Sequence, residues 1–223
     1  MSINVAIDGP AGAGKSTIAR MLARELNYIY VDTGAMYRAM ALYMIEHKID
    51  VSHLDEVGSA CDAITIDIQY SAGEQQVILN GKNVNDFIRT ETVSEMSSKI
   101  SAIPEVREKL LSLQRSLAAA ENVIMDGRDI GTHVLSNADV KIFLTADAHV
   151  RAVRRYEEFI AKGVSCTLEN VEREVIERDE RDMNRAIAPL KQAEDAVRVD
   201  TSAMTIEEVV CYLKNLIGQA VAR

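Results

Sequence analysis

A glycine-rich segment near the start of the chain constrains the fold more than any other feature of the sequence. Residues 9–17 read GPAGAGKST and fit the pattern G-x-x-x-x-G-K-[ST], which is typical of loops that bind nucleotide phosphates. Residues 3–7, which include several residue types that favour β-strands, precede this segment, and apolar residues with helical spacing follow it. An ordinary glycine-rich turn would not require both this spacing and this context. The segment therefore predicts a strand, a phosphate-binding loop and a helix that together hold a nucleoside triphosphate.

The residues of this loop have separate predicted roles. Glycines let backbone N–H groups wrap a phosphate, and the helix N-terminus adds the positive end of a dipole. Lys15 is expected to reach the β- and γ-phosphates, and the Ser16 hydroxyl is expected to ligate Mg²⁺ together with the ATP phosphates. The predicted ATP-binding residues are Gly9, Pro10, Ala11, Gly12, Ala13, Gly14, Lys15, Ser16 and Thr17.

Length and charge narrow the class of protein. A chain of 223 residues suits one α/β domain with embellishments. A net charge of −9 argues against a nucleic-acid partner or an anionic membrane surface. The chain has three widely spaced cysteines, no leader-like N-terminus and no apolar run that could span a bilayer. We therefore expect a soluble cytoplasmic protein.

Apolar β-rich runs alternate with helical patterns along most of the chain. This alternation predicts a parallel sheet flanked by helices, with strands at 3–8, 28–32, 122–126, 140–145 and 196–200. Four of these strands end in aspartate, at positions 8, 32, 126 and 200. Ligands of open α/β sheets bind at the carboxyl ends of the strands. Any one of these aspartates could instead cap a helix or a turn.

A segment between residues 63 and 84 departs from the alternation. Apolar residues occupy every second position from 64 to 70 and again from 77 to 79, and Asn80-Gly81 is a hairpin signal. The segment predicts a small antiparallel meander inserted into the α/β frame.

Residues 146–185 predict two helices around Lys162-Gly163 and contain seven arginines. Arg178, Arg181, Asp182 and Arg185 have the spacing of one helical face. These arginines favour a flap that closes over phosphates, since Arg makes bidentate phosphate contacts. The alternative is a solvated surface laced with salt bridges.

The residues beyond the loop favour phosphoryl transfer over hydrolysis. The chain lacks the N-K-x-D tetrapeptide with which GTPases read their base. Gly127 stands after Asp126, where a motor-type ATPase would carry an acidic residue to activate water. An arginine-rich lid would exclude water and align a bound acceptor.

Four motifs together resemble the bacterial cytidylate kinases, a family of P-loop nucleoside monophosphate kinases. They are residues 9–17, DTGAMYR at 32–38, DGRDIG at 126–131 and RDERDMNRAIAPL at 178–190. The resemblance spans essentially the whole chain. It implies ATP-dependent, Mg²⁺-assisted conversion of CMP and dCMP to CDP and dCDP in pyrimidine nucleotide metabolism. It also implies a P-loop NTPase-type sheet, the β insert in the monophosphate-binding region and a helical lid.

The resemblance assigns a role to each matching residue. Tyr37, Arg38, Arg128 and Arg185 correspond to positions that hold the acceptor phosphate. Ser98, Arg107 and Asp129 correspond to positions that read cytosine, and Thr33, Arg178 and Asp182 to positions that contact the sugar. Lys15, Arg178 and Arg181 would neutralise the transferring phosphoryl group. Thr33 and Ser16 depart from the serine and glycine that are frequent in the family, and both retain or add a hydroxyl.

Several of these residues have a plain structural alternative. Tyr37 could belong to the core, Ser98 to a helix surface and Arg107 to an exposed salt bridge. Asp129 could cap a helix that begins near residue 130. The sequence also leaves open a kinase for another monophosphate, or a nucleotide-binding switch without transfer activity.

We expect a single monomeric domain, residues 1–223, with three regions. The core comprises 1–32, 116–149 and 186–223, the CMP-binding region with its β insert comprises 33–115, and the lid comprises 150–185.

Overall fold

A five-stranded parallel sheet forms the centre of the computed structural model, which describes residues 2–221. The strands of the chain are β1 (Asn4–Asp8), β2 (Ile29–Asp32), β3 (Ile66–Ser71), β4 (Glu74–Leu79), β5 (Lys82–Asn83), β6 (Val123–Gly127), β7 (Val140–Thr145) and β8 (Val197–Asp200). The central sheet has the order β2-β6-β1-β7-β8, and every neighbouring pair in it is parallel. All five predicted core strands are confirmed, with shifts of at most one residue at their ends.

Within residues 2–221, eight α-helices connect and cover these strands. They are α1 (Lys15–Leu26), α2 (Thr33–Glu46), α3 (Leu54–Ala63), α4 (Glu91–Ile100), α5 (Pro104–Ala120), α6 (Ala148–Ala161), α7 (Leu168–Asn184) and α8 (Ile206–Val221). A π-helical turn, Ile130–Val134, follows β6. Among residues 2–221, no helix is both long and apolar enough to cross a bilayer.

The central sheet is apolar on both faces, which explains the continuous apolar runs in its strands. Ala6 and Met125 pack on one face with α2 and the helices that follow it. Val5 and Ile7 point to the opposite face and pack with apolar residues of α1 and α8. Alternate residues of β1 thus serve two separate cores, as the period of two in a strand requires.

The predicted meander is present as a separate antiparallel sheet. Strands β3, β4 and β5 pair in sequence order, with Ile66 opposite Leu79. Asn80 and Gly81 both have positive φ, as a tight hairpin turn requires. Val77 and Leu79 are buried against the core formed by α2 to α5, so the insert is packed onto the domain.

The two helices predicted between residues 146 and 185 are α6 and α7, which pack against each other. Val171 and Val175 of α7 are buried. The helix ends at Asn184, so Arg185 lies in extended backbone just beyond it. The predicted helical face therefore includes Arg178, Arg181 and Asp182, and Arg185 follows outside the helix.

The topology brings three of the strand-ending aspartates to one edge of the sheet. Asp32 and Asp126 are register partners of β2 and β6, and Asp8 ends the next strand, β1. All three side chains are buried. The glycine loop leaves the same edge, because it begins directly after Asp8.

Candidate active site

The glycine loop curls tightly between β1 and α1. Gly9, Gly12 and Gly14 all have positive φ, a conformation that other residues rarely adopt. A Cβ on Gly9 would lie 1.9 Å from the Leu144 carbonyl oxygen of β7, so the backbone approaches the sheet too closely for any side chain. Helix α1 begins at Lys15, and its first N–H groups have no partners within the helix. The loop therefore has the shape and the donors of an anion site.

Lys15 lies inside this loop. Its side chain is 6% exposed, and Nζ donates a hydrogen bond to the Pro10 carbonyl oxygen at 2.7 Å. Burial and the nearby charge of Arg128 lower the pKa of Lys15 to about 7, although Asp126 acts in the opposite direction. An incoming phosphate would give this buried ammonium a charged hydrogen-bond partner in place of the neutral carbonyl.

Asp126 links the loop to the neighbouring strands. Its carboxylate accepts hydrogen bonds from the hydroxyls of Ser16 (2.9 Å) and Tyr30 (3.0 Å). The Thr33 hydroxyl donates to the backbone carbonyl of Asp126 at 2.8 Å. Burial, and next the proximity of Asp32, raise the pKa of Asp126 to about 6. Asp126 thus joins the glycine loop to the start of α2.

Gly127 has no room for a side chain. A Cβ at this position would lie 2.7 Å from Ile130 Cδ1 and 2.9 Å from the Thr33 hydroxyl oxygen. An acidic residue after Asp126 would therefore displace its neighbours.

Asp8 holds the turn that follows β6. Its carboxylate oxygens accept hydrogen bonds from the backbone N–H groups of Ile130 (2.8 Å) and Gly131 (2.7 Å). Burial raises the pKa of Asp8 to about 6, although these two bonds oppose the shift. The strand that leads into the glycine loop is thereby tied to the segment that carries Asp129.

Asp129 lies between two arginines from distant parts of the chain. Its carboxylate accepts from Arg107 of α5 and, at 2.9 Å, from Arg185 beyond α7. Arg107 and Asp129 are both nearly fully buried. The Asp129 side chain makes no capping hydrogen bond to the π-helical turn, so the alternative of a simple cap does not describe it.

Tyr37 lies next to this cluster. The Arg107 guanidinium carbon is 5.9 Å from the centre of the Tyr37 ring, and burial raises the pKa of the phenol to about 12. The ring also packs against the core around α2. The position of Tyr37 is therefore compatible with both expectations, a contact with the acceptor phosphate and a place in the core.

A second ion pair connects the turn after β6 to helix α7. Arg128 Nε donates to Asp182 of α7 at 2.8 Å. Arg178, one turn earlier on α7, has its pKa lowered to about 10 by burial and by the charge of Arg128. Its buried Nε has no hydrogen-bond partner within residues 2–221. The Nε–H group of Arg178 is therefore available to bind a ligand. Arg178 lies near Arg128, which in turn lies near Lys15.

Arg38 is held by the aspartate that caps its own helix. Asp32 accepts from the backbone N–H of Ala35 at 2.8 Å and from Arg38 at 3.0 Å. The Gln75 side chain from the β insert accepts from the Asp32 N–H (2.8 Å) and donates to its carbonyl (3.3 Å). The insert therefore supports the position from which α2 starts.

Ser98 and Arg181, like Arg178, are predicted site residues whose side chains lie outside this network of hydrogen bonds. Ser98 is half-buried on α4, and its backbone carbonyl accepts from the Ser101 hydroxyl at 2.8 Å. Arg181 is exposed on α7. Neither position tests the roles that the sequence resemblance suggests for them.

Sequence reasoning did not single out several residues of the site. In the sequence, Asp8 and Asp32 stand out as strand ends, Asp32 also opens the motif at 32–38, and their position at the ligand edge is the available signal. Arg151 is one of seven arginines in residues 146–185, yet it is buried and donates to the loop. Tyr30 and Gln75 carried no signal, because both act through contacts with distant residues.

The residues near Ser16 fit a magnesium ion held largely by phosphate and water. No cluster of three or more His, Cys, Asp or Glu side chains that could hold a metal occurs within residues 2–221. Ser16 and Asp126 bring two kinds of oxygen together at 2.9 Å. Mg²⁺ prefers oxygen ligands and commonly uses one or two protein groups together with substrate phosphates. The donor set therefore matches a metal that arrives with a nucleotide.

The phosphate loop, the parallel sheet and the arginine-bearing helix pair define a P-loop kinase. A crystal structure of an uncharacterized protein from Eubacterium ventriosum has this fold, with a TM-score of 0.53, 14% identity and coverage of 98% of this chain and 99% of that chain. The family model described as cytidylate kinase matches residues 5–219. The chain belongs to the cytidylate kinase family, and thus to the nucleoside monophosphate kinases.

Curated relatives match over nearly their whole length. The cytidylate kinase of Carboxydothermus hydrogenoformans is 50% identical over 219 residues, 97% of this chain and 98% of the relative. The cytidylate kinase of Caldicellulosiruptor saccharolyticus is 49% identical over 208 residues, 93% of this chain and 92% of the relative. The predicted family and fold class are confirmed.

Proposed function

We propose that this protein transfers the γ-phosphoryl group of ATP to CMP or dCMP and releases ADP with CDP or dCDP. The family relationship over residues 5–219 supports the reaction. The observation that carries the assignment of the site is the placement of Asp129, with its two arginines, on the turn that Asp8 ties to the phosphate loop.

On the donor side, the loop of residues 9–17 would hold the ATP phosphates through backbone N–H groups. Lys15 would exchange its bond to the Pro10 carbonyl for a bond to the β- and γ-phosphates. Ser16 would ligate Mg²⁺ and turn its hydroxyl from Asp126 towards the ion. When bound, the ion supplies positive charge that offsets the charge of the phosphates.

On the acceptor side, the ion pairs would exchange partners when the monophosphate binds. Arg38, Arg128 and Arg185 would bind the acceptor phosphate together with Tyr37. The carboxylate of Asp129 would accept from the cytosine N4 amino group, which is a hydrogen-bond donor. Arg107 and Ser98 would donate to the base's O2 and N3 acceptors, and Thr33, Arg178 and Asp182 would contact the sugar.

The lid would complete the site around the transferring group. Arg178 and Arg181 lie on α7, and with Lys15 they would neutralise the charge that develops on the phosphoryl group. The acceptor phosphate oxygen is itself the nucleophile, so the reaction needs alignment more than a strong base. The crowded Gly127 position is consistent with a site that excludes a water-activating carboxylate.

We further propose that residues 1–223 act as one monomeric cytoplasmic domain. The core would comprise 1–32, 116–149 and 186–223, with a CMP-binding region at 33–115 and a lid at 150–185. Free thiols at Cys61, Cys166 and Cys211 are consistent with a reducing compartment.

Identification of the reaction product tests the proposal. Purified protein is incubated with ATP, Mg²⁺ and CMP, and the nucleotides are separated by anion-exchange chromatography. We expect equal amounts of CDP and ADP, and loss of both when a chelator removes Mg²⁺. ADP that forms equally well without CMP would show an ATPase and overturn the proposal.

A further inference from the structure

Arg151 is a buried arginine at the start of α6 that contacts the phosphate loop directly. Its side chain is about 5% exposed. Its guanidinium donates to the carbonyl oxygens of Ala146 and Ala11, each at 2.9 Å. Ala11 lies in the middle of the loop, and a Cβ on the next residue, Gly12, would lie 3.3 Å from Arg151 Cβ. The loop and the first turn of α6 are therefore in close packing contact.

The third contact of Arg151 reaches the lid. Its second terminal nitrogen donates to Asp179 of α7 at 2.6 Å, across 28 positions of sequence. Asp179 is also buried, and its other carboxylate oxygen has no hydrogen-bond partner within residues 2–221. Arg151 is therefore the main polar support for the buried charge of Asp179.

Asp179 occupies a key place on α7. It directly follows Arg178, and Asp182, the partner of Arg128, lies one turn further along the same helix. The position of Asp179 therefore determines where Arg178 and Asp182 lie. Arg151 links Asp179 to the Ala11 carbonyl of the phosphate loop, because it donates to both.

We propose that Arg151 is a positioning residue that sets the lid helix α7 in register with the phosphate loop. It makes no contact with the reacting atoms. Its fork binds a loop carbonyl and a lid carboxylate together, so a loop that has closed around a triphosphate presents Arg178 at a fixed place. This inference rests on the proposed phosphoryl transfer, since it concerns how the two sides of that site are aligned.

The chemistry of the side chain supports this role. Arginine presents several N–H groups in a rigid plane and can serve three acceptors at once, whereas lysine is a point charge on a flexible stem. The apolar contacts of α7 through Val171 and Val175 do not depend on Arg151. A substitution at position 151 is therefore expected to misplace α7 without unfolding the domain.

The test combines steady-state kinetics with a double-mutant cycle. The variants are Arg151→Lys, Arg151→Gln, Asp179→Asn and Arg178→Ala, with the pair Arg151→Gln/Arg178→Ala. Arg173→Gln is the matched control, because Arg173 is exposed on α7 and its side chain donates to Asn170 at 2.9 Å, away from the loop. Each variant is measured for kcat, for the KM of ATP and of CMP, and for Tm.

We expect Arg151→Gln to lower kcat/KM for ATP roughly 30-fold or more, because one partner of a buried ion pair is lost. The KM of CMP should rise as well, because Arg178 and Asp182 lie on the displaced helix α7 and are proposed to contact the sugar. Arg151→Lys and Asp179→Asn should change the same kinetic constants in the same direction, by smaller factors. Arg173→Gln should behave as the wild type.

The double-mutant cycle separates a positioning role from a structural one. In the wild type, Arg178→Ala should lower kcat/KM for ATP about 100-fold. When Arg151 is already replaced, the same substitution should lower it less than about tenfold, because the effects of coupled residues are not additive. Fully additive losses, or a lower Tm with an unchanged KM for ATP, would overturn the inference. If Arg151→Gln fails to fold, Arg151→Lys and Asp179→Asn are paired with Arg178→Ala in the same way.

Failure of the proposed reaction is measured separately. Wild-type protein that makes no CDP would contradict the proposed function. ATP affinity measured by calorimetry would still show whether Arg151 supports the loop. Unchanged ATP affinity in all three Arg151 and Asp179 variants would then contradict the inference.

Discussion

The proposed donor and acceptor sides of the site are built in opposite ways. The proposed donor side is one continuous loop, residues 9–17, whose backbone N–H groups are expected to supply most of the hydrogen bonds to ATP. The acceptor side gathers Arg107, Asp129 and Arg185 from segments 22 and 56 positions apart. One side is therefore encoded locally, and the other exists only once the chain has folded.

The two sides also differ in how their charges are balanced. Lys15 donates to a neutral carbonyl, and burial lowers its pKa, so within residues 2–221 no carboxylate is hydrogen-bonded to this lysine. On the proposed acceptor side, Asp129 and Asp182 already pair with arginines. We infer that the nucleotide triphosphate would give Lys15 a charged hydrogen-bond partner, whereas the monophosphate must replace existing partners.

Replacement of Lys15 should have the largest effect, because it is the one loop side chain expected to reach the transferring group. Lys15→Met should lower kcat with every acceptor by roughly 1,000-fold, at the upper end for loss of a group that stabilises a transition state. The measurement is the initial rate of ADP formation at saturating ATP and CMP. A loss that depended strongly on the acceptor would contradict the division into two sides.

Arg128→Ala should damage the acceptor side alone. We expect kcat/KM for CMP to fall about 100-fold, since one charged phosphate contact is lost and Asp182 is left without its partner. Calorimetry should give an ATP affinity within about threefold of wild type, because the loop donors remain. Equal losses of CMP use and ATP binding would count against the assigned roles.

Asp8 joins the two sides and should make stability depend on pH. Burial raises its pKa in the folded protein to about 6 from the ordinary value of 3.8. The folded state therefore holds the proton more tightly than the unfolded state, and this contribution to stability is lost as pH rises from about 4 through 6.

Asp8→Asn removes this titration. The free energy of unfolding of the variant minus that of the wild type should rise by roughly 2 kcal/mol between pH 4 and pH 7, at about 1.4 kcal/mol per pKa unit. Urea unfolding at several pH values measures the difference. Asp62→Asn, on the exposed surface of α3, controls for loss of a carboxylate. A difference that stays constant with pH would refute the assignment.

Asp129→Asn should give the smallest of these effects and the sharpest test of base recognition. An amide offers a donor as well as an acceptor, so it discriminates less well against the O4 acceptor of uracil. We expect the ratio of kcat/KM for CMP to that for UMP to fall about tenfold. An unchanged ratio would assign base recognition to other residues.

The sequence was most informative where structure depends on neighbouring residues. The parallel strands, the meander and the glycine loop follow from local periodicity and turn chemistry, and all three are confirmed. The sequence did not predict that α7 ends before Arg185, because the spacing of one helical face continues past Asn184, the last helical residue, to Arg185.

The sequence was least informative where burial depends on distant partners. Arg151 and Arg173 look alike as lid arginines in the sequence, yet one is buried against Ala11 and Asp179 and the other is exposed. Nothing local predicts that the Gln75 side chain reaches the backbone of Asp32. Such contacts follow only from the way in which the insert and the lid pack on the sheet.

The most direct test of the account is ADP formation from ATP and Mg²⁺ with each of six acceptors: CMP, dCMP, UMP, AMP, GMP and dTMP. We predict fast turnover with CMP and dCMP, slower turnover with UMP and negligible turnover with the purines. Preference for a different monophosphate would retain the donor loop but contradict the acceptor side as described. Turnover independent of every acceptor would contradict phosphoryl transfer itself.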